Sequence, residues 1–150
     1  MSSWRDIASP EAQDDLDGLL NMMLGFGQQQ LAKHGEFFPF AATVGSDGAV
    51  EPIAARPDTH DDRPASAEVI DACLLALNTK RGAIRAGAIA SNVRVAGPIS
   101  SDAIEVALEH AEGLALAVLL PYAINRGGKV EYGAITAHAG ERRIWPVFER

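Results

Sequence analysis

The strongest constraint on this chain's fold is the alternation on either side of Gly113. From Ala103 to Ala111 and again from Leu114 to Ile124, large aliphatic residues recur at every second position. That period belongs to a strand with two unlike faces. A three-residue loop, Ala111-Glu112-Gly113, sets His110 opposite Leu114, Leu108 opposite Leu116, Val106 opposite Val118 and Ile104 opposite Leu120. A two-residue Glu112-Gly113 turn would put Leu116 opposite Glu109, and a slip of one residue exchanges the faces, so the longer loop is expected. A five-residue loop, Asn125 to Lys129, carries the same parity into a strand from Val130 to His138, with Tyr122 opposite Tyr132 and Leu120 opposite Ala134. One face therefore carries the large aliphatics and should pack on helices. The other carries Ala107, Ala111, Ala115, Ala117, Gly133 and Ala137, with Glu105, Glu109, Leu119 and Ile135 among them. Ala86, Ala88 and Ala90 of a preceding strand, Ile84 to Val95, are read as continuing it. This flat face meets water, the first helix or a second copy of the chain. Its expected contact residues are Glu105, Ala107, Glu109, Ala115, Ala117, Leu119 and Ile135.

The upstream half reads as helix, hairpin, helix. Ser9 and Pro10 suit a helix start, acidic residues fill its first turns, and Lys33, His34 and Gly35 mark its end. Leu16, Leu19, Leu20, Met23, Phe26 and Leu31 form the buried stripe, and Gly25 and Gly27 suggest close packing or a bend. Phe37 to Ala55 read as a hairpin turning at Ser46-Asp47-Gly48, with Val44 opposite Val50 and Phe40 opposite Ala54; Pro52 marks an edge strand or a bulge. A second helix runs from about Ser66 to Arg81, with Val69, Ile70, Cys73, Leu74 and Leu77 on its buried side. The expectation is one α+β domain spanning residues 1–150, with a mainly antiparallel sheet of about six strands and two helices packed on one face, in the order α-β-β-α-β-β-β-β.

The 150 residues are enough to bury a core without disulfides or metal, and the single cysteine, Cys73, excludes a disulfide framework. The formal charge of −7 argues against a nucleic-acid partner. The acidity is polarised, with Asp6, Glu11, Asp14, Asp15 and Asp17 against Arg5 in the first 20 residues. That composition does not read as a secretory signal, and the apolar run Leu114 to Ala123 is about half the length of a membrane-spanning helix. A soluble cytoplasmic protein without a membrane partner is expected.

Tests for chemistry return structural readings. His110 and His138 share a face in this register but sit about 10 Å apart laterally at ~4.8 Å per strand, too far for two ligands of one zinc. A partly buried histidine satisfied by a backbone carbonyl is the simpler reading. His34-Gly35-Glu36 has the H-x-E spacing of zinc deaminases, without the second cysteine that their P-C-x-x-C segment needs. His60-Asp61-Asp62 reads as solvated loop, and Gly127-Gly128-Lys129 as a hairpin loop instead of a phosphate cradle. Glu105 and Glu109 stand about 13 Å apart on one strand, beyond the ~5–9.5 Å of glycosidase pairs. They read as a solvated or partner-facing acidic strip. Arg142 and Arg143 read as surface residues, and Trp4 and Trp145 as anchors near the chain ends. No catalytic, cofactor-binding or metal-binding residue is expected.

The segments Ala103–His110, Val118–Tyr122, Glu131–Gly133 and Gly140–Trp145 resemble a group of small actinobacterial proteins to which no activity is assigned. The element order, together with the hairpin Ala41-Ala-Thr-Val-Gly-Ser-Asp-Gly48, is similar to the Roadblock/LC7 fold, from which the chain departs by lacking a final helix and ending in an extra strand. That resemblance implies a dimeric, non-enzymatic regulator or scaffold, often of small GTPases. The expected function is a non-catalytic, acidic interaction or regulatory module that pairs with itself or another protein. The alternatives are an immunity-type protein that neutralises a basic toxin, and a small-molecule binder or enzyme with a pocket near Tyr122, Tyr132 and His138.

Overall fold

A computed structural model of the chain describes residues 4–53, 55, 65–96 and 101–145. A short helix α1 (Trp4–Ile7) leads into the long helix α2 (Pro10–His34). The ends of α2 follow from its sequence. Ser9 accepts a hydrogen bond from the Ala12 N–H, Pro10 opens the first turn, and Gly35 closes the helix in the left-handed conformation at φ 72°. Then come β1 (Phe40–Gly45), β2 (Val50–Ile53), α3 (Ser66–Lys80), a turn of 3₁₀ helix (Arg81–Ala83), β3 (Ile84–Val95), β4 (Ser101–His110), β5 (Leu114–Ile124), β6 (Val130–Tyr132) and β7 (Thr136–Ala139). The strands form one antiparallel sheet in the order β2-β1-β3-β4-β5-β6, with β7 also paired to β5. This is the expected α+β class.

The two hairpin registers follow the sequence pattern. Val44 faces Val50, and the β4–β5 ladder runs from His110 opposite Leu114 to Ile104 opposite Leu120. Gly113 holds φ at 105° in the loop that permits this.

The helices do not share a face. On the first face, Ala12, Leu16, Leu19, Met23 and Leu31 of α2 pack on Ala42, Val44, Ala88, Ile104, Val106, Leu108, Leu116 and Val118. On the second face, Val69, Cys73 and Leu77 of α3 pack on Ala41 and Ile89, joined there by Ile144. Ala41 to Val44 and Ala86 to Ser91 are therefore buried without a break. Uninterrupted burial marks a strand covered on both sides. Ala86, Ala88 and Ala90 sit opposite His110, Leu108 and Val106, so they floor α2 and do not extend the small-residue face. Their short side chains let the long apolar residues of α2 reach the sheet. Each fully buried leucine or methionine there contributes about 1.5–3 kcal/mol.

The last strand also departs from expectation. Tyr132 faces Tyr122 and the Gly133 N–H bonds the Pro121 carbonyl, as the parity requires. Beyond that point Thr136 faces Leu119, Ala137 faces Val118 and His138 faces Ala117. One extra residue around Ala134 and Ile135 forms a bulge that splits the strand and exchanges the faces downstream. Ala137 thus moves to the first face, and His138 to the second. Ile135 is half exposed and shares a shallow cleft with Leu16 and Leu20, so it belongs to the first face and not to the flat one.

A glycine pair tests the packing. A Cβ on Gly140 would lie 2.8–2.9 Å from the backbone of Leu116, whereas a Cβ on Gly25 meets nothing within 4 Å. Gly140→Ala should therefore destabilise the chain by about 1–3 kcal/mol, and Gly25→Ala should stabilise it by about 0.5–1 kcal/mol. Urea denaturation of the two variants measures both; equal midpoints would contradict the packing at β7.

Candidate functional site

The final two residues of β4 carry buried polar groups that tie the sheet to the layers on its two faces. Neighbouring strand residues point to opposite faces, so Glu109 and His110 reach into different layers.

His110 lies on the first face, 3% exposed. Its Nε2 sits 2.9 Å from Oδ2 of Asp15 on α2, and its Nδ1 accepts the backbone N–H of Glu112 at 3.1 Å. An Nδ1 that accepts a hydrogen bond carries no proton, so the ring is the neutral tautomer with the proton on Nε2, donated to Asp15. Oδ1 of Asp15 accepts from Nη2 of Arg85 at 2.7 Å, and Glu11 lies 3.7 Å from Arg85 Nη1. The hydrogen bond to Asp15 raises the pKa of Arg85 above its usual value, with the nearby charges of Asp15, Glu11 and Asp47 adding to it. The hydroxyl of Ser9, which caps α2, also donates to Glu112 at 2.5 Å. The N-terminal turns of α2 are thus pinned to the β4–β5 turn by charge-assisted hydrogen bonds.

Glu109 lies on the second face, 4% exposed. Its carboxylate accepts three successive backbone N–H groups of the C-terminal segment: Arg143 at 2.7 Å, Ile144 at 2.9 and 3.1 Å, and Trp145 at 2.5 Å. The Asn78 side chain donates to the Arg143 carbonyl at 3.2 Å, and Arg81 donates to the Ile144 carbonyl at 3.1 Å. Arg142 donates to the Gly113 carbonyl. Ile144 fills the space between Leu77 and Gly87, where a Cβ on the glycine would lie 2.9 Å from its Cδ1. This segment has no regular structure of its own, and the buried Glu109 carboxylate, with donors from the end of α3 and the 3₁₀ turn, holds it flat on the sheet.

The expected contact residues therefore separate. Glu105, Ala107, Ala115, Ala117 and Leu119 do lie together on the second face, each half-buried, beyond the area that α3 covers. Glu109 is corrected: it is no surface acid but the anchor of residues 143–145, because the chain returns across it. Arg142 and Arg143 are exposed, as expected; the Arg142 side chain bonds the Gly113 carbonyl, and Arg143 lends its backbone to the strap that residues 142–145 form across the sheet.

The expected pocket residues do not converge. Tyr122 is buried at 8% exposure and its hydroxyl donates to Asn92 Oδ1 at 2.7 Å, while Tyr132 lies beside it, tilted by 55° at 6.5 Å between centroids. Burial raises the pKa of both phenols, with Asp102 and Tyr132 adding to the effect on Tyr122. His138 is exposed, pairs with Ala117 on the opposite face, and contacts the Thr136 hydroxyl at 3.0 Å. The shared face expected for His110 and His138 is lost to the bulge. Cys73 is 1% exposed, and burial pushes its thiol pKa up, which keeps it protonated. His60, Asp61 and Asp62 lie outside the described residues. A cleft of about 820 Å³ is lined by Phe26, Phe37, Phe38 and Phe40 with His34 and Asn92.

Asp15 was legible in principle: it falls one position before Leu16 on the buried stripe, a carboxylate among leucines that requires a partner. The partners of Glu109 lie 34–36 residues downstream in an irregular segment, and no local pattern announces them. Searches against protein families, curated proteins and solved structures find no match to the chain.

Removing the Glu109 carboxylate leaves three backbone N–H groups without this acceptor, that of Ile144 buried and those of Arg143 and Trp145 part-buried. Glu109→Ala should cost about 3 kcal/mol or more in denaturant unfolding, and Glu105→Ala less than about 0.5 kcal/mol. Comparable losses at the two positions would contradict the assignment of Glu109 as the anchor.

Proposed function

We propose that this protein is a non-catalytic, acidic interaction or regulatory module that works in the cytoplasm as a homodimer. One observation carries the reading: exposed apolar side chains gather along the β6–β7 side. Among the described residues, Ile7, Ile124, Tyr132 and Ile135, half of the eight large hydrophobics left exposed, lie on or beside this edge. They form an apolar rim spaced along this edge, from Ile7 beside β7 to Ile124 beside β6, which offers an association surface. The half-open second face, with Glu105, Ala107, Ala115, Ala117 and Leu119, adjoins the same edge and offers a flat contact surface.

The polar groups support the non-catalytic reading. His110 and Glu109 are buried, and every ring nitrogen and carboxylate oxygen of the two is engaged by the fold. Glu109 borders a space of only about 20 Å³, too small for a substrate. No helix among the described residues is long and apolar enough to cross a membrane. The reading leaves no part in binding for nucleic acid. A small-molecule binder is the second reading, and the phenylalanine-lined cleft is the observation that favours it.

Sedimentation equilibrium across the micromolar range tests the dimer. The expected result is a mass of twice 15.9 kDa, and Ile135→Arg should weaken association at least about tenfold. A monomer at the highest concentration would overturn the reading.

A further inference from the structure

The edge that gathers these side chains is itself built to pair. The sheet has two outer edges. β2 carries Glu51 and Pro52, features that discourage pairing with another strand. The run from Gly133 to Gly140, which contains β7, has no proline and no Asp, Glu, Lys or Arg, and all four residues of β7 are exposed. No described strand lies beyond it.

The hydrogen-bond pattern says which backbone groups are offered. The Gly140 N–H bonds the Ala115 carbonyl at 3.0 Å, so Gly140 and Ala115 form a hydrogen-bonded pair of the β5–β7 ladder. Such pairs alternate, so Thr136 and His138 direct their backbone groups at β5, and Ala137 and Ala139 direct theirs outward.

We infer that two copies of this chain join along β7, antiparallel, about a two-fold axis between the two copies of His138. This rests on the homodimer reading and names its contact. In that register Ala137 of each copy meets Ala139 of the other, which forms four backbone hydrogen bonds between the outward groups. His138 faces its own counterpart at a non-hydrogen-bonded position with Cα atoms about 4.5 Å apart.

Three features fit a second copy in particular. A two-fold pairing of one strand with itself uses the same surface twice, which is the geometry of an isologous dimer. Each chain carries a net −7, and between Val130 and Gly140 the only formal charge is Glu131, so this segment adds little repulsion between identical copies. Ala137 and Ala139 lie on the first face beside Ile7, 73% exposed, with Ile135, 50% exposed, next in the strand. Joining the strands brings these residues of both copies to one seam. It also sets the two half-open second faces side by side in one continuous sheet, doubling the flat surface available to a further partner.

Single-cysteine cross-linking tests the register. In a Cys73→Ala background, His138→Cys is expected to give a disulfide-linked dimer on mild oxidation, because the Cα separation falls within the 4.4–6.8 Å range that a disulfide spans. Thr136→Cys, which faces Gly140 of the other copy, is expected not to cross-link. Cross-linking at position 136 instead of 138 would overturn the register. A dimer by sedimentation with no cross-link at 138 would overturn edge pairing and leave the homodimer reading standing, whereas a monomer would overturn both. Ala137→Pro removes an outward N–H that β5 does not use. It is expected to weaken the dimer at least about tenfold with an unchanged circular dichroism spectrum. A folded variant that dimerises as tightly as the parent would overturn the proposal.

Discussion

The architecture depends on two adjacent residues at the end of β4. Glu109 and His110 point to opposite faces, and each is buried against the layer that covers its face. His110 fixes α2 through Asp15, while Glu109 fixes the C-terminal strap through three backbone N–H groups. Apolar burial sets how strongly a layer adheres but hardly its register. Directional bonds to a buried carboxylate and a neutral imidazole set the register, because any slide leaves a buried group unpaired.

This arrangement determines which surface remains for function. α2 covers the first face of the sheet, while α3 and the strap cover the second over β1, β3 and the end of β4. What stays open is the second face of β4 and β5 together with the β6–β7 edge. The bulge at Ala134 and Ile135 shapes that edge. By exchanging the faces it brings Ala137 and Ala139 to the side of Ile7 and leaves His138 on the flat side. The open surface and the fold therefore have a common origin in where the covering layers stop.

Much of this was legible in the sequence, for physical reasons that differ by element. The β4–β5 register followed from alternation, because a one-residue slip would bury Glu109 among leucines. The start and end of α2 followed from Ser9, Pro10 and Gly35, whose effects are local. The placement of α3 was misread because Ala41-Ala42-Thr43-Val44 and Ala86 to Ser91 show no alternation, and small residues suit both faces of a doubly covered strand. The bulge was invisible because Gly133, Ala134 and Thr136 fit either parity. Glu109 was misread as a surface acid because strand parity reports the face and not what later returns to cover it. The strap that covers it is irregular and leaves no periodic trace.

The most direct test of the central claim is amide hydrogen exchange at Arg143, Ile144 and Trp145. These amides lie outside every helix and strand, so their protection reports the Glu109 carboxylate and little else. The account predicts exchange slowed to the level of the β4 core amides. Exchange at the rate of an exposed loop would contradict it, and the strap would then be only a resting contact on the sheet.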